Sequence, residues 1–159
     1  MELKKRHSLI LIPLIFVFAL AIYLFNRSLG EASFLGLETV PCIDPTKPIT
    51  ENYTLNIAIS INGESYPLTD NIGHDYGNCL RAIHTDNGSG EVYVETNDGN
   101  TYTLQNFFQV WKKNFTSDRL ENYVAGGNHT LQVFLNGKEV QNITETPLLP
   151  GSTINVVYK

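Results

Sequence analysis

The chain has 159 residues, of which 17% are charged, and a formal net charge of −5 at pH 7. That is room for one modest domain with its own core once a hydrophobic N-terminal run is set aside. The acidic excess is spread along the chain and no basic patch or stripe appears, which argues against a nucleic-acid partner.

Lys4, Lys5 and Arg6 precede an uncharged run from Leu9 to Phe25. Seventeen residues at about 1.5 Å each just span the hydrocarbon core of a bilayer. Residues 1–8 then form a basic segment held in the cytoplasm, residues 9–25 a transmembrane helix, and the remainder lies outside. The expectation is a single-pass protein of the cell membrane, in contact with lipid through residues 9–25. The alternative is a signal peptide cleaved near Gly30, with Ser28 and Gly30 as the small residues and a secreted product. The length of the run favours the retained anchor. Pro13 is tolerated in a membrane helix. A cytoplasmic amphipathic helix is excluded, because the run is apolar on every side.

Residues 26–50 carry Gly30, Gly36, Pro41, Pro45 and Pro48 without periodicity and read as a linker. The domain is expected over residues 51–159. Asn26, Asn52, Asn87, Asn114, Asn128 and Asn142 each open an Asn-x-Ser/Thr triplet, the acceptor pattern for N-glycosylation. Asn- and Thr-rich chains also generate such triplets by composition alone. Cys42 and Cys79 are the only cysteines. In an oxidising compartment they are candidates for one disulfide; the alternative is two separate thiols.

Leu55, Ile57, Ile59 and Ile61 alternate with smaller or polar residues, the mark of a half-buried strand. Asn62-Gly63 is a strong hairpin signal, and Glu64 to Leu68 is expected to return as a second strand. Thr69 to Gly90 reads as a long loop. Glu91 to Thr96 is a third strand, followed by a turn over Asn97 to Asn100. Thr103 is placed to cap a helix over Leu104 to Lys113. Leu104, Phe107, Phe108 and Trp111 form one apolar stripe on it, read as core packing rather than a ligand groove. Lys112 and Lys113 would complement the helix dipole in its last turn. Asp118 to Tyr123 is read as a short helical turn. Thr130 to Leu135, Asn136-Gly137 and Lys138 to Val140 form a second hairpin. After Pro150-Gly151, Ile154, Val156 and Tyr158 line one face of a last strand. The expected fold class is α+β: a small β-grasp-like mixed sheet packed on one amphipathic helix. A β-sandwich with an inserted helix is the alternative.

The segment His74 to Gly90 concentrates the chemistry. His74, Cys79, His84 and Asp86 offer two imidazoles, a thiol and a carboxylate, a set suited to copper or zinc. A disulfide at Cys79 would remove the thiolate, and the bland alternative is a polar loop whose side chains cap local turns. A Cys79–His84 nucleophile pair has no identifiable orienting third group. No nucleophile elbow, zinc-protease helix or phosphate-cradling loop is present, so the chain is read as non-enzymatic. Asp70, Asp75, Asp86 and Asp98 do not follow calcium-loop spacing.

Three segments together resemble a set of membrane-anchored extracytoplasmic proteins of archaea and some bacteria. They are Asn71-Ile72-Gly73-His74-Asp75, then Ile83-His84-Thr85-Asp86 with Ser89-Gly90-Glu91-Val92-Tyr93-Val94-Glu95, and Tyr102-Thr103-Leu104-Gln105-Asn106-Phe107-Phe108-Gln109-Val110-Trp111. In that set the matching stretches run IGxD, IHTHD-SG-IHVE and FTLGDFF-W. The second histidine of the His-Thr-His is absent here, where Thr85 runs directly into Asp86. An early His-x-His is replaced by Tyr53 and Thr54. The resemblance covers under half the chain and implies fold and location rather than metal chemistry. The functional expectation is a membrane-anchored extracytoplasmic interaction domain, an accessory subunit bound to other membrane proteins. A copper- or zinc-binding domain and a cell-surface structural protein are the alternatives.

Overall fold

The central strand is β1, Glu51–Ile61. Leu55, Ile57, Ile59 and Ile61 all turn inward and are buried, as the two-residue alternation requires. β1 ends at Asn62 and Gly63, both with positive φ (53° and 85°), and the chain returns as β2, Glu64–Ser65. The computed structural model describes residues 40–97 and 99–159. The basic segment 1–8, the apolar run 9–25, Asn26, Gly30 and the first part of the expected linker lie outside these residues. Among the described residues no helix is long and apolar enough to cross a membrane.

After β2 come three two-residue strands: β3 (His74–Asp75), β4 (Cys79–Leu80) and β5 (Ile83–His84). The long strand β6, Glu91–Thr96, follows. The helix α1 runs over Leu104–Val110. Three more short strands, β7 (Phe115–Thr116), β8 (Arg119–Leu120) and β9 (Tyr123–Val124), lead to the last hairpin and final strand. These are β10 (Leu131–Leu135), β11 (Lys138–Glu139) and β12 (Thr153–Tyr158).

One seven-stranded sheet has the order β11-β10-β12-β1-β6-β5, with β2 on the end of β1. β1 and β12 run parallel, with Ile57 opposite Ile154 and Ile59 opposite Val156. The remaining pairs are antiparallel, so the sheet is mixed. Among the described residues the other strands form one two-stranded and one three-stranded sheet. The mixed α+β arrangement is the one expected.

The helix buries Leu104, Phe107 and Phe108, and Trp111 at its C-cap is 8% exposed. All four residues of the stripe therefore belong to the core. The Asn106 amide oxygen accepts from the Thr103 backbone N–H at 2.9 Å, closing the N-terminal turn. The helix stops three residues earlier than expected. Lys112 adopts a left-handed φ of 61°, which ends the α-helical ladder. Lys112 and Lys113 thus leave the last turn and bind Asp75 and Glu121 instead.

Three further expectations are corrected. The stretch Thr69 to Gly90 contains β3, β4 and β5 rather than plain loop. Asp118 to Tyr123 forms no helical turn; it lies in a three-stranded ribbon, β7-β8-β9. Residues 40–50 belong to the domain rather than a linker. Val40 is 1% exposed, Ala82 N–H donates to the Pro41 carbonyl at 3.0 Å, and Ile43 N–H donates to the Leu80 carbonyl at 2.7 Å.

Candidate functional site

The chemistry-bearing residues gather where β5 closes one edge of the sheet. Gly73 makes the close packing possible. Its φ is +80°, and a Cβ there would collide with the Ile83 carbonyl oxygen. The β3–β4 hairpin can therefore lie against β5.

His84 sits on β5 opposite Tyr93 of β6, and the two rings stack with centroids 5.3 Å apart. The imidazole is 5% exposed. Its Nδ1 lies 3.1 Å from the Arg81 carbonyl oxygen. A carbonyl only accepts, so Nδ1 carries the proton and Nε2 keeps a lone pair in the neutral ring. Burial holds the His84 pKa below the ordinary imidazole value; the Arg81 carbonyl and the Glu95 charge oppose that shift.

His74 stands edge-on to His84, with ring centroids 5.8 Å apart. Its Nε2 is 3.7 Å from Asp86 Oδ1, and both side chains are substantially exposed. The structure thus brings His74, His84 and Asp86 into one neighbourhood.

Cys79 is used otherwise. Its sulfur is bonded to Cys42, so the proposed four-ligand set is corrected: Cys79 can be neither a thiolate ligand nor a nucleophile. Among the described residues, no three His, Cys, Asp or Glu side chains are gathered as a ready metal site.

Asp75 stands outside the four-residue ligand set expected from the sequence. Its carboxylate accepts from Arg81 Nε at 2.8 Å and from Lys112 Nζ at 2.9 Å. Lys112 first and Arg81 second hold its pKa below the usual carboxylate range. Arg81 also donates to the Val40 carbonyl at 2.7 Å. Arg81 and Asp75 together thus connect the N-terminal arm, the hairpin and the helix end. The Asp75–Arg81 contact spans six positions and carries no periodic signal in the sequence.

Between the hairpin strands, Tyr76-Gly77-Asn78 forms the tip, with positive φ at Gly77 (81°) and Asn78 (62°). Tyr76 is 104% exposed, its ring free of the fold. A two-residue hairpin alone is marginal. This one is braced by the disulfide and by both ion pairs of Asp75.

Asn52, Asn87, Asn114, Asn128 and Asn142 are all exposed. Asn52 donates to Glu95 at 2.9 Å across β1 and β6, and Asn87 accepts the Ser89 N–H at 2.9 Å. Comparison with known proteins finds no matching family model, no matching curated protein and no matching solved structure.

Proposed function

We propose that the chain is a membrane-anchored extracytoplasmic interaction domain, a non-catalytic accessory subunit that docks through the β3–β4 hairpin. The observation that carries this reading is Tyr76, a fully exposed aromatic ring on a covalently braced tip. Rigid aromatic side chains of this kind are the usual anchors of protein interfaces, since little freedom is lost on binding. The disulfide supports a site outside the reducing cytoplasm. The apolar run 9–25 supports an anchor, and the exposed sequons are open to glycosylation. The parallel pairing of β1 with the C-terminal strand at the centre of the sheet, between two flanking strand pairs, supports a β-grasp-like fold.

Gentle solubilisation of native membranes tests the reading. The chain should co-purify with defined membrane proteins, and Tyr76→Ala should release them while leaving the fold intact. Recovery of a lone monomer in both cases would sink it.

A second reading, a copper- or zinc-binding domain, draws on the two adjacent imidazoles of His84 and His74, with Nε2 of His84 left free to ligate. Titration with Cu(II) or Zn(II) should show one ion per chain, lost in His84→Ala and His74→Ala. Binding that is unchanged in both variants excludes this site.

A further inference from the structure

The fold holds its exposed Asn-x-Ser/Thr triplets in different ways. Asn87 and Asn142 stand on exposed turns outside the strands. Asn87 Oδ1 accepts the Ser89 N–H at 2.9 Å, and Asn142 Oδ1 accepts the Thr144 hydroxyl at 3.2 Å. Each turn thus joins the first residue of its triplet to the third. The amide oxygen is engaged in both, while neither Nδ2 is bonded to the described residues. The middle residue roots each turn in the fold. A Cβ on Gly88 would meet the Leu68 carbonyl oxygen at 2.6 Å, so glycine is what lets that turn lie so close. Ile143 is 6% exposed, and the Thr144 carbonyl accepts the Gln105 N–H at 3.1 Å.

The triplets at Asn52, Asn114 and Asn128 lack this arrangement. Asn52 lies in β1 opposite Glu95, and its Nδ2 donates to the Glu95 carboxylate at 2.9 Å. Beyond Asn114, the Thr116 hydroxyl donates to Asp118 at 2.8 Å. Beyond Asn128, Thr130 is tied to Lys159 by backbone bonds in both directions.

We propose that the folded chain is glycosylated at Asn87 and Asn142, from a sugar carried on a polyprenyl phosphate or diphosphate, while Asn52 stays bare. The proposal rests on the extracytoplasmic reading and takes it to particular atoms. Nδ2 forms a bond to the anomeric carbon of the sugar. The bond from that carbon to the carrier's phosphate oxygen breaks, and its electron pair leaves on the phosphate. One Nδ2 proton passes to a base of the transferring enzyme, and nothing is oxidised or reduced. An amide nitrogen is a poor nucleophile, because its lone pair is shared with the carbonyl. A donor on Oδ1 makes the Nδ2–H more acidic, so the proton leaves more easily as the new bond forms. Asn52 could be presented only by breaking its bond to Glu95 and parting β1 from β6. Asn87 follows Asp86, whose carboxylate lies 3.7 Å from His74. A glycan there flanks the His74 side of the hairpin. A partner reaching Tyr76 is left the side of Asp75, which faces Lys112 and Arg81.

The test uses the full chain from its native membranes. Protease digestion and mass spectrometry should find Asn87 and Asn142 as glycopeptides in most copies and the Asn52 peptide unmodified. Ser89→Thr should keep the Asn87 glycan. Ser89→Ala should remove it and leave the Asn142 glycan in place. Bare Asn87 and Asn142 peptides, or Asn52 modified as fully as they are, overturn the proposal. A membrane-impermeant amine label, applied to intact cells and read at exposed Lys138, separates the two ways of failing. Bare triplets on a labelled domain overturn the glycan sites alone. Bare triplets on an unlabelled domain overturn the extracytoplasmic reading as well.

Discussion

His84 shows how one side chain joins several parts of the fold. Its ring is sandwiched against Tyr93, edged by His74 and tied to the Arg81 carbonyl. Because burial lowers its pKa, the unfolded chain binds the proton more readily than the folded one. Stability is therefore complete above the unfolded imidazole value, about pH 6.5, and falls as pH drops through the lower folded value. The melting temperature should decline between about pH 7 and pH 5, and His84→Gln should flatten that decline. An equally steep decline in the variant would assign the effect elsewhere. The Asp75 carboxylate titrates below this window and adds its loss only in stronger acid. The sequence marked His74, His84 and Asp86 as neighbours along the chain, and they are neighbours in space. It did not reveal the burial of His84. That burial comes from pairing with β6, which no local pattern announces.

At the level of elements, legibility followed length and periodicity. β1, β6, β12 and the apolar stripe of α1 each repeat over several residues, so their buried faces were readable. β3, β4, β5 and the β7-β8-β9 ribbon are two-residue strands, too short to show alternation. They form because tertiary partners supply their hydrogen bonds and covalent brace. The helix end was misjudged because Lys112 takes a left-handed conformation, which a lysine does not advertise. The disulfide is the element-scale device that holds the β3–β4 hairpin to the arm. It closes a loop with a sequence separation of 37. Replacing both cysteines with serine should cost about 3–4 kcal/mol in denaturant unfolding, from the chain entropy restored to the unfolded state. A loss under about 1 kcal/mol would show that the unfolded chain keeps those segments together.

Across the whole molecule, cooperativity should be greatest where the two halves of the sheet meet. β1 is paired along both edges, and β12 lies between β1 and β10. Hydrogen exchange should be slowest at Ile57, Ile59 and Val156 and fastest in the β7-β8-β9 ribbon, whose outer strand exposes Tyr123 and Val124. Ribbon amides protected as strongly as those of β1 would contradict this ordering. The alternation in each long strand was legible. The parallel pairing of first strand with last was not, because it joins residues almost a hundred positions apart.

The Cys42–Cys79 bond also sets the route that mechanical tension takes. A pull arriving through the chain ahead of residue 40 can peel away Val40 and Pro41 before it meets a covalent link. From Cys42 the load crosses directly to Cys79 and continues toward β5 and β6. Residues 43–78, with the whole of β1 among them, lie inside the closed loop and off that route. The strand at the centre of the sheet is thus off the covalent path of a pull applied ahead of Cys42, and the force is delivered beside the tip that carries Tyr76.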